Sequence, residues 1–465
     1  MPPTLALFLT LVFIVFLFRR DLRERPNITG AHWLPLIWAL IVGSRSVAQW
    51  LSTLGLLRGS STIEEGNPVD AIVFLTLIAA GLYVLNKRRV RLGEVFRSNP
   101  WFMVFILYCL ISITWSDFPF IAFKRWVKAL GHPVMALVLL TEPNFDEALT
   151  RLIKRSAYIL VPFSILFIKY FEYIGRTWDD YTGIASNVGV CTQKNGLGGG
   201  CMIFGFFFFW HLLKTWKMEK GIARRDELLL TAGMLFLIGY LLRKAHSMTS
   251  LLSLLIAMAV MVLVGRQWVN KKLILIYASV AVVTLGAAEL LFGVFEYVVS
   301  LTGHETTIAG RAELWEDLLA FPNNRIFGTG FESFWLGDRL QAIWETHWWH
   351  PIQAHNGYLE TYLNLGLVGL FLLVGLLIST FRKIRLELLT NFEWGRFRLG
   401  FFIAFICHNW TEASFRGLGL SWFMFYLIAM EYPNVQFASE KLSSEADEPE
   451  EDRELAYFPD KVQSW

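Results

Sequence analysis

Residues 355–380 read HNGYLETYLNLGLVGLFLLVGLLIST, and no charged side chain follows Glu360 until Arg382. A helix needs about 20 mostly apolar residues to cross the hydrocarbon of a bilayer, and residues 358–380 supply them. A polar head, His355-Asn356 with Glu360 one turn on, runs directly into this span. Comparable stretches lie near 3–18, 33–50, 69–86, 100–115, 120–140, 150–168, 196–213, 226–243, 248–265, 273–294, 397–411 and 417–432. The expectation is an all-α, polytopic integral membrane protein with about 12–13 transmembrane helices. The lower count holds if 120–140 or the first stretch does not cross.

Composition agrees. Of 465 residues 55% are hydrophobic, 15% aromatic and only 17% charged, and mean hydropathy is +0.45. A soluble chain has too little interior to hide so much apolar surface, whereas a lipid-facing surface can be as apolar as a core. A disordered chain, a disulfide scaffold and a nucleic-acid binder with a basic face are excluded. Cys109, Cys191, Cys201 and Cys407 are scattered, with no CxxC pair and no histidine at metal-ligand spacing, so they read as small core residues and no metal or cofactor is expected.

Charge sets the orientation. Basic clusters recur in alternate connections: Arg19, Arg20, Arg23 and Arg25; Lys87 to Arg97; Lys214 to Arg225; Arg266 to Lys272; Arg382 to Arg398. The positive-inside rule makes these cytoplasmic, so the connections 51–68, 169–195 and 295–357 face outward. The first stretch lacks a small-residue cleavage site and reads as an uncleaved span. Lys124, Arg125 and Lys128 alternate with aromatic residues, so 120–130 reads as an interfacial segment that enters the membrane at His132-Pro133. The domains are therefore a polytopic membrane domain over 1–438, with its outward loop at about 295–357, and an acidic cytoplasmic tail over 439–465.

Ionisable groups at membrane depth are costly and mark function by default. The outward loop holds four of the nine histidines, His304, His347, His350 and His355. It contains GRAELWEDLLAFPNNRIFGTGFESFW, which opens at Gly310-Arg311. A helix N-terminus at a membrane surface favours anions, and a histidine there is suited to proton transfer near neutral pH. His304, His347 and His350 also read as hydrogen-bonded loop residues, Arg311 as an interface anchor, and Gly366 and Gly369 as close-packing positions. A second cluster, LLRKAHSMTSLLSL, places Arg243, Lys244 and His246 on an outward connection, where a diphosphate or simple snorkelling explains the charge. A third, GVCTQKNGLGGG, sets Lys194 and Asn195 beside a glycine run without the order of a Walker loop. Asp179-Asp180 reads as solvated loop charge.

The order His355-Asn356, nine residues, Gly366, two residues, Gly369 resembles the signature of the bacterial O-antigen ligase and Wzy-type polysaccharide polymerase superfamily. The GRAELW and GTGFESFW blocks, ITWSDFPFIAFKRWVK, GVCTQKNGLG and HSMTSLLSL are similar to its exopolysaccharide polymerase branch, so the resemblance runs from about Trp101 to Glu412. It implies a large membrane glycosyltransferase (GT-C-like) fold in the bacterial inner membrane, with the active loop periplasmic. It further implies an undecaprenyl-diphosphate-linked glycan as donor, a glycan or lipid A-core acceptor, and inverting chemistry without a metal. Carried over by position, His355 matches the catalytic histidine and Arg311 the loop arginine that holds the diphosphate. Gly310, Asn356, Gly366 and Gly369 match motif positions. Arg243, Lys244 and His246, with Lys194, are candidates for the remaining diphosphate contacts, and His246 departs from the family's usual Lys or Arg.

The expected function is polymerisation of lipid-linked repeat units, with a ligase to lipid A-core as the alternative and a lipid-linked sugar transporter as a more remote one. A transporter would show two similar halves and mid-span charges, which the sequence lacks. A chain-length regulator is a candidate partner of the tail.

Overall fold

The computed structural model describes residues 1–24, 26–57, 66–178, 183, 185–292 and 305–433. His304, Asp179-Asp180 and the acidic tail lie outside these. The helices in chain order are α1 (Pro3–Arg23), α2 (Trp33–Val42), α3 (Val47–Thr53), α4 (Pro68–Lys87), α5 (Leu92–Ser98), α6 (Pro100–Ile111), α7 (Pro119–Ala129), α8 (Gly131–Leu140), α9 (Phe145–Tyr170) and α10 (Glu172–Gly175). A short antiparallel hairpin of β1 (Arg176–Trp178) and β2 (Ala185–Asn187) follows. Then come α11 (Lys194–Trp216), α12 (Ile222–Ala245), α13 (Met248–Val264), α14 (Ile274–Phe292), α15 (Glu305–Ala320), α16 (Gly337–Thr346), α17 (Gly357–Thr390), α18 (Phe392–His408) and α19 (Leu420–Ala429).

All thirteen apolar stretches fall in helices, as the all-α reading expects, but several are not unbroken rods. Among the described residues four single helices, α4, α11, α12 and α17, are long and apolar enough to cross a membrane, or six spans if each bent pair counts as one. The first bent pair joins residues 30–42 to α3 at 57°, where Ser46 and Gln49 form a capping box that starts the new helix. The second joins α5 to residues 100–115 at 103°, where Pro100 permits a helix start but not its continuation. The expected count of twelve to thirteen is thus reached only by counting broken and shorter helices. The stretch 120–140 divides as the sequence expects, α7 ending at Ala129 and α8 beginning at Gly131. A side chain at Gly131 would strike the indole of Trp38, which also donates to buried His132.

Buried charges explain why α9 is less apolar than its neighbours. Arg151 and Arg155 grip Asp21 of α1, each at 2.7 Å, and Lys154 pairs with Glu227 of α12. Unpaired, such groups would cost several kcal/mol each. The apolar core continues through Phe397, Phe401, Phe405 and Phe425, consecutive rings lying 4.8–6.5 Å apart at small interplanar angles. This ladder holds α18 against α19.

The described part of the long connection before α17, residues 305–356, is not an extended loop. It has a small core of its own, in which Leu314, Leu318, Phe334, Trp335, Leu340, Ile343 and Ala354 pack with Leu363 of α17. That core fixes α15 and α16 over the start of α17, where the candidate residues converge.

Candidate active site

Asn356 caps α17, its side chain accepting hydrogen bonds from the backbone N–H of Tyr358 and Leu359 at 3.0 Å. The preceding segment is clamped on three sides. Trp315 donates to the carbonyl of Ala354 (2.7 Å), the N–H of Ala354 donates to Glu360 (2.8 Å), and Arg416 donates to the carbonyl of Ile352. Glu360 is itself buried and also accepts from Trp335, Asn364 and Arg416. These contacts hold His355 at φ +49°, a left-handed conformation uncommon for a residue with a side chain. Strain of this kind persists only where the surroundings impose it, and it gathers at functional sites.

His355 Nδ1 lies 3.5 Å from Oε2 of Glu412 and 3.4 Å from the Gln353 amide, and its ring stands 5.7 Å from that of Trp349. The other oxygen of Glu412 takes Arg311 Nη2 at 3.1 Å and the amide of Asn195 at 2.6 Å. Arg311 Nη1 donates to the carbonyl of Thr411 at 2.7 Å, and the Thr411 hydroxyl meets that of Thr249 at 2.6 Å. Four separate sequence blocks therefore meet on Thr411-Glu412: the entry to α11, the entry to α13, α15, and the segment before α17.

Burial pushes the Glu412 carboxyl up. The contact with His355 and the positive charge of Arg311 outweigh it, so the group titrates below its ordinary value of 4.5 and stays ionised at neutral pH. The site therefore pairs a fixed carboxylate with a histidine on one side and an arginine on the other. His355 and Arg311 are each only slightly exposed, so their remaining donors face a sheltered space.

The other candidates are placed differently. Lys194, Arg243, Lys244 and His246 are all exposed and make no hydrogen bond or ion pair to the His355–Glu412–Arg311 group. His246 ends α12 in the left-handed conformation, so it turns the chain and lets Thr249 and Ser250 face the site. Ser250 meets His408 at 3.3 Å. Lys244 lines a separate cavity of about 380 Å³ with Lys169, Arg176, Asn187 and Tyr240. His347 bonds Asp317 at 3.0 Å and His350 stacks on Trp344, so both serve the loop's own structure. Gly310 lies within α15.

Gly366 does more than permit close packing. At φ +65° and ψ −165° it breaks α17, and residues 325–330 dock against the break. Leu367 and Val368 donate to the carbonyls of Arg325 and Ile326, while Thr329 and Gly330 donate to those of Leu363 and Asn364. A side chain at Gly366 would lie 2.2 Å from the Ile326 carbonyl oxygen. Gly369 instead faces Leu365 of its own helix.

Glu412 is the residue that the sequence reading missed as a site. Its signal was present: Glu412 and Arg416 are charges set in an otherwise weakly polar connection directly after an apolar span.

This fold and site define a multi-pass helical membrane protein with a histidine–carboxylate–arginine group formed between its long loop and the connection from α18 to α19. Residues 229–374 match the O-antigen ligase family. Over 310 residues the chain is 26% identical to the exopolysaccharide production protein ExoQ of Rhizobium meliloti (strain 1021), the match covering 64% of this chain and 68% of that protein. Over these stretches the chain is similar to the O-antigen ligase family and to a protein of exopolysaccharide production. The family match contains Arg311, His355, Gly366 and Gly369, whereas Asn195 and Glu412 lie beyond its two ends.

Proposed function

We propose that the protein is an inverting glycosyltransferase that joins undecaprenyl-diphosphate-linked repeat units at the periplasmic face of the bacterial inner membrane. The observation that carries this reading is the convergence of His355 and Arg311 on one buried carboxylate, Glu412. In the reaction the acceptor hydroxyl oxygen attacks the anomeric carbon of the donor sugar and the bond to the diphosphate oxygen breaks. In the tautomer whose Nδ1–H points to Glu412, His355 keeps Nε2 free to take the hydroxyl proton. Glu412 fixes the ring and stabilises the imidazolium that forms, the role a carboxylate plays behind a catalytic histidine elsewhere. Arg311 commits two of its five N–H donors to Thr411 and Glu412, and the others are suited to the charge growing on the diphosphate.

A diphosphate leaves already charged, so positioning and a preorganised cation supply most of the acceleration without a metal, and the base adds about 10²–10⁴-fold. Trp349 beside His355, with the half-exposed Trp348 and Trp410, offers flat faces on which sugar rings stack. The ExoQ likeness favours a polymerase, and the family description favours a ligase acting on a lipid A-core.

Cells carrying His355→Ala, with expression checked, discriminate. Loss of polymer with single repeat units accumulating on the lipid carrier supports the polymerase. Full-length chains retained on the carrier identify a ligase. Normal polymer would overturn the role given to His355.

A further inference from the structure

We propose that the cavity between α1 and the α9–α11–α12 wall binds an anionic phospholipid, on the side that the charge pattern reads as cytoplasmic. This inference is independent of the glycosyl-transfer reading. The cavity measures about 1530 Å³. One wall is a single face of α1: Phe8, Val12, Val15 and Phe16 recur at helical spacing and continue into Arg19 and Arg23. Those four apolar side chains are 49–60% exposed, with lipid as their natural neighbour. At 1.5 Å per residue the face runs about 16 Å from Phe8 to Arg19, a length that suits an acyl chain ending in a headgroup.

The charges at its end are unevenly matched. Glu24 and Glu147 are held by Arg151, Glu227 by Arg20 and Lys154, and Asp226 by Arg225. Among the described residues Arg19, Arg23 and Lys214 have no carboxylate at ion-pair distance, Lys214 resting instead over the Trp210 ring. Among the described residues Asp146 is the lining carboxylate without an ion pair, and the charge of Lys214 reaches it, so Arg19 and Arg23 are the cations left in excess. In the same wall Arg151 Nε and His211 Nδ1 are buried without a hydrogen-bond partner. A phosphate ester with its chains along α1 would satisfy the cations and cover the apolar face together. A zwitterionic lipid carries the same phosphate but brings its own ammonium, so it covers the face without neutralising the excess positive charge.

The test is native mass spectrometry of the detergent-purified full chain with equal amounts of phosphatidylglycerol and phosphatidylcholine. Selective retention of phosphatidylglycerol is expected, and equal retention overturns the proposal. Each cation near a headgroup is worth about fivefold in binding, so the triple variant R19Q/R23Q/K214Q should lose retention on the order of a hundredfold, while R19K/R23K should keep it. Undiminished retention by a folded triple variant overturns the proposal. Soluble glycerol 3-phosphate should not displace the lipid from the wild-type protein; displacement at comparable concentration makes this a free-phosphate site and likewise overturns it.

Discussion

Glu412 joins the two halves of the candidate chemistry. Replacing it with Gln keeps the shape and an acceptor for Asn195 and Arg311, but removes the charge that faces His355. Turnover should fall by about 10²-fold at unchanged protein level, within the range of a general-base contribution, and a transfer assay with lipid-linked donor checks it. Wild-type turnover in Glu412→Gln would make the carboxylate purely structural. Glu412 also predicts the pH response. Its folded pKa lies below the ordinary 4.5, so ionisation favours the folded site at every pH above that value. This stabilisation is lost only as pH falls through the folded pKa. The share of thermal stability contributed by Glu412 should therefore hold level from about pH 8 to about pH 5 and decline in more acid solution. Glu412→Gln should flatten that acid decline, and melting curves followed by Trp fluorescence would register it.

At the scale of elements, the break at Gly366 seats the turn segment 325–330 across α17 and so carries α15 and α16 to the site. Gly366→Ala adds backbone strain of about 1–3 kcal/mol and a collision with Ile326, and should lower the melting temperature and transfer activity together. Gly233→Ala, at an exposed position in α12 where a side chain meets nothing within 4 Å, should be neutral or slightly stabilising. The break also marks the limit of what sequence reading delivers. Apolar runs of about 20 residues announce helices wherever the surroundings are lipid, so the long apolar helices were legible, whereas the polar helices α5, α15 and α16 carry no such run and were not. His355, Arg311 and Asn356 stand out in the sequence because their order resembles a family motif, and the structure brings His355 and Arg311 together on Glu412, their catalytic roles resting on the proposal above. The partner of His355 was not, because Glu412 lies 57 positions away and only tertiary folding brings it near. The diphosphate candidates Lys194, Arg243, Lys244 and His246 share the outward side but diverge in direction, since a left-handed turn at His246 sends the basic residues one way and Thr249 the other. Spacing along the chain records neither turn nor direction.

For the whole molecule, the alternation of basic connections requires that the loop bearing His355 and the connection bearing Lys217 and Lys220 lie on opposite sides of the membrane. The structure makes this testable with little perturbation. Three of the four native cysteines are buried and the fourth is half-buried, so the background labelling by a membrane-impermeant maleimide should be low. Glu345, at the end of α16, and Lys220, in the connection from α11 to α12, are both exposed. In intact cells with a permeabilised outer membrane, Glu345→Cys should label and Lys220→Cys should not; after inner-membrane disruption both should label. Labelling of both in intact cells would overturn the topology, and with it the periplasmic placement of His355 and the cytoplasmic placement of the α1 groove. The reverse pattern would move both to opposite faces together, because the loop, α11 and α13 are joined through the contacts of Arg311, Asn195 and Thr249 with Thr411-Glu412 and cannot be reoriented separately.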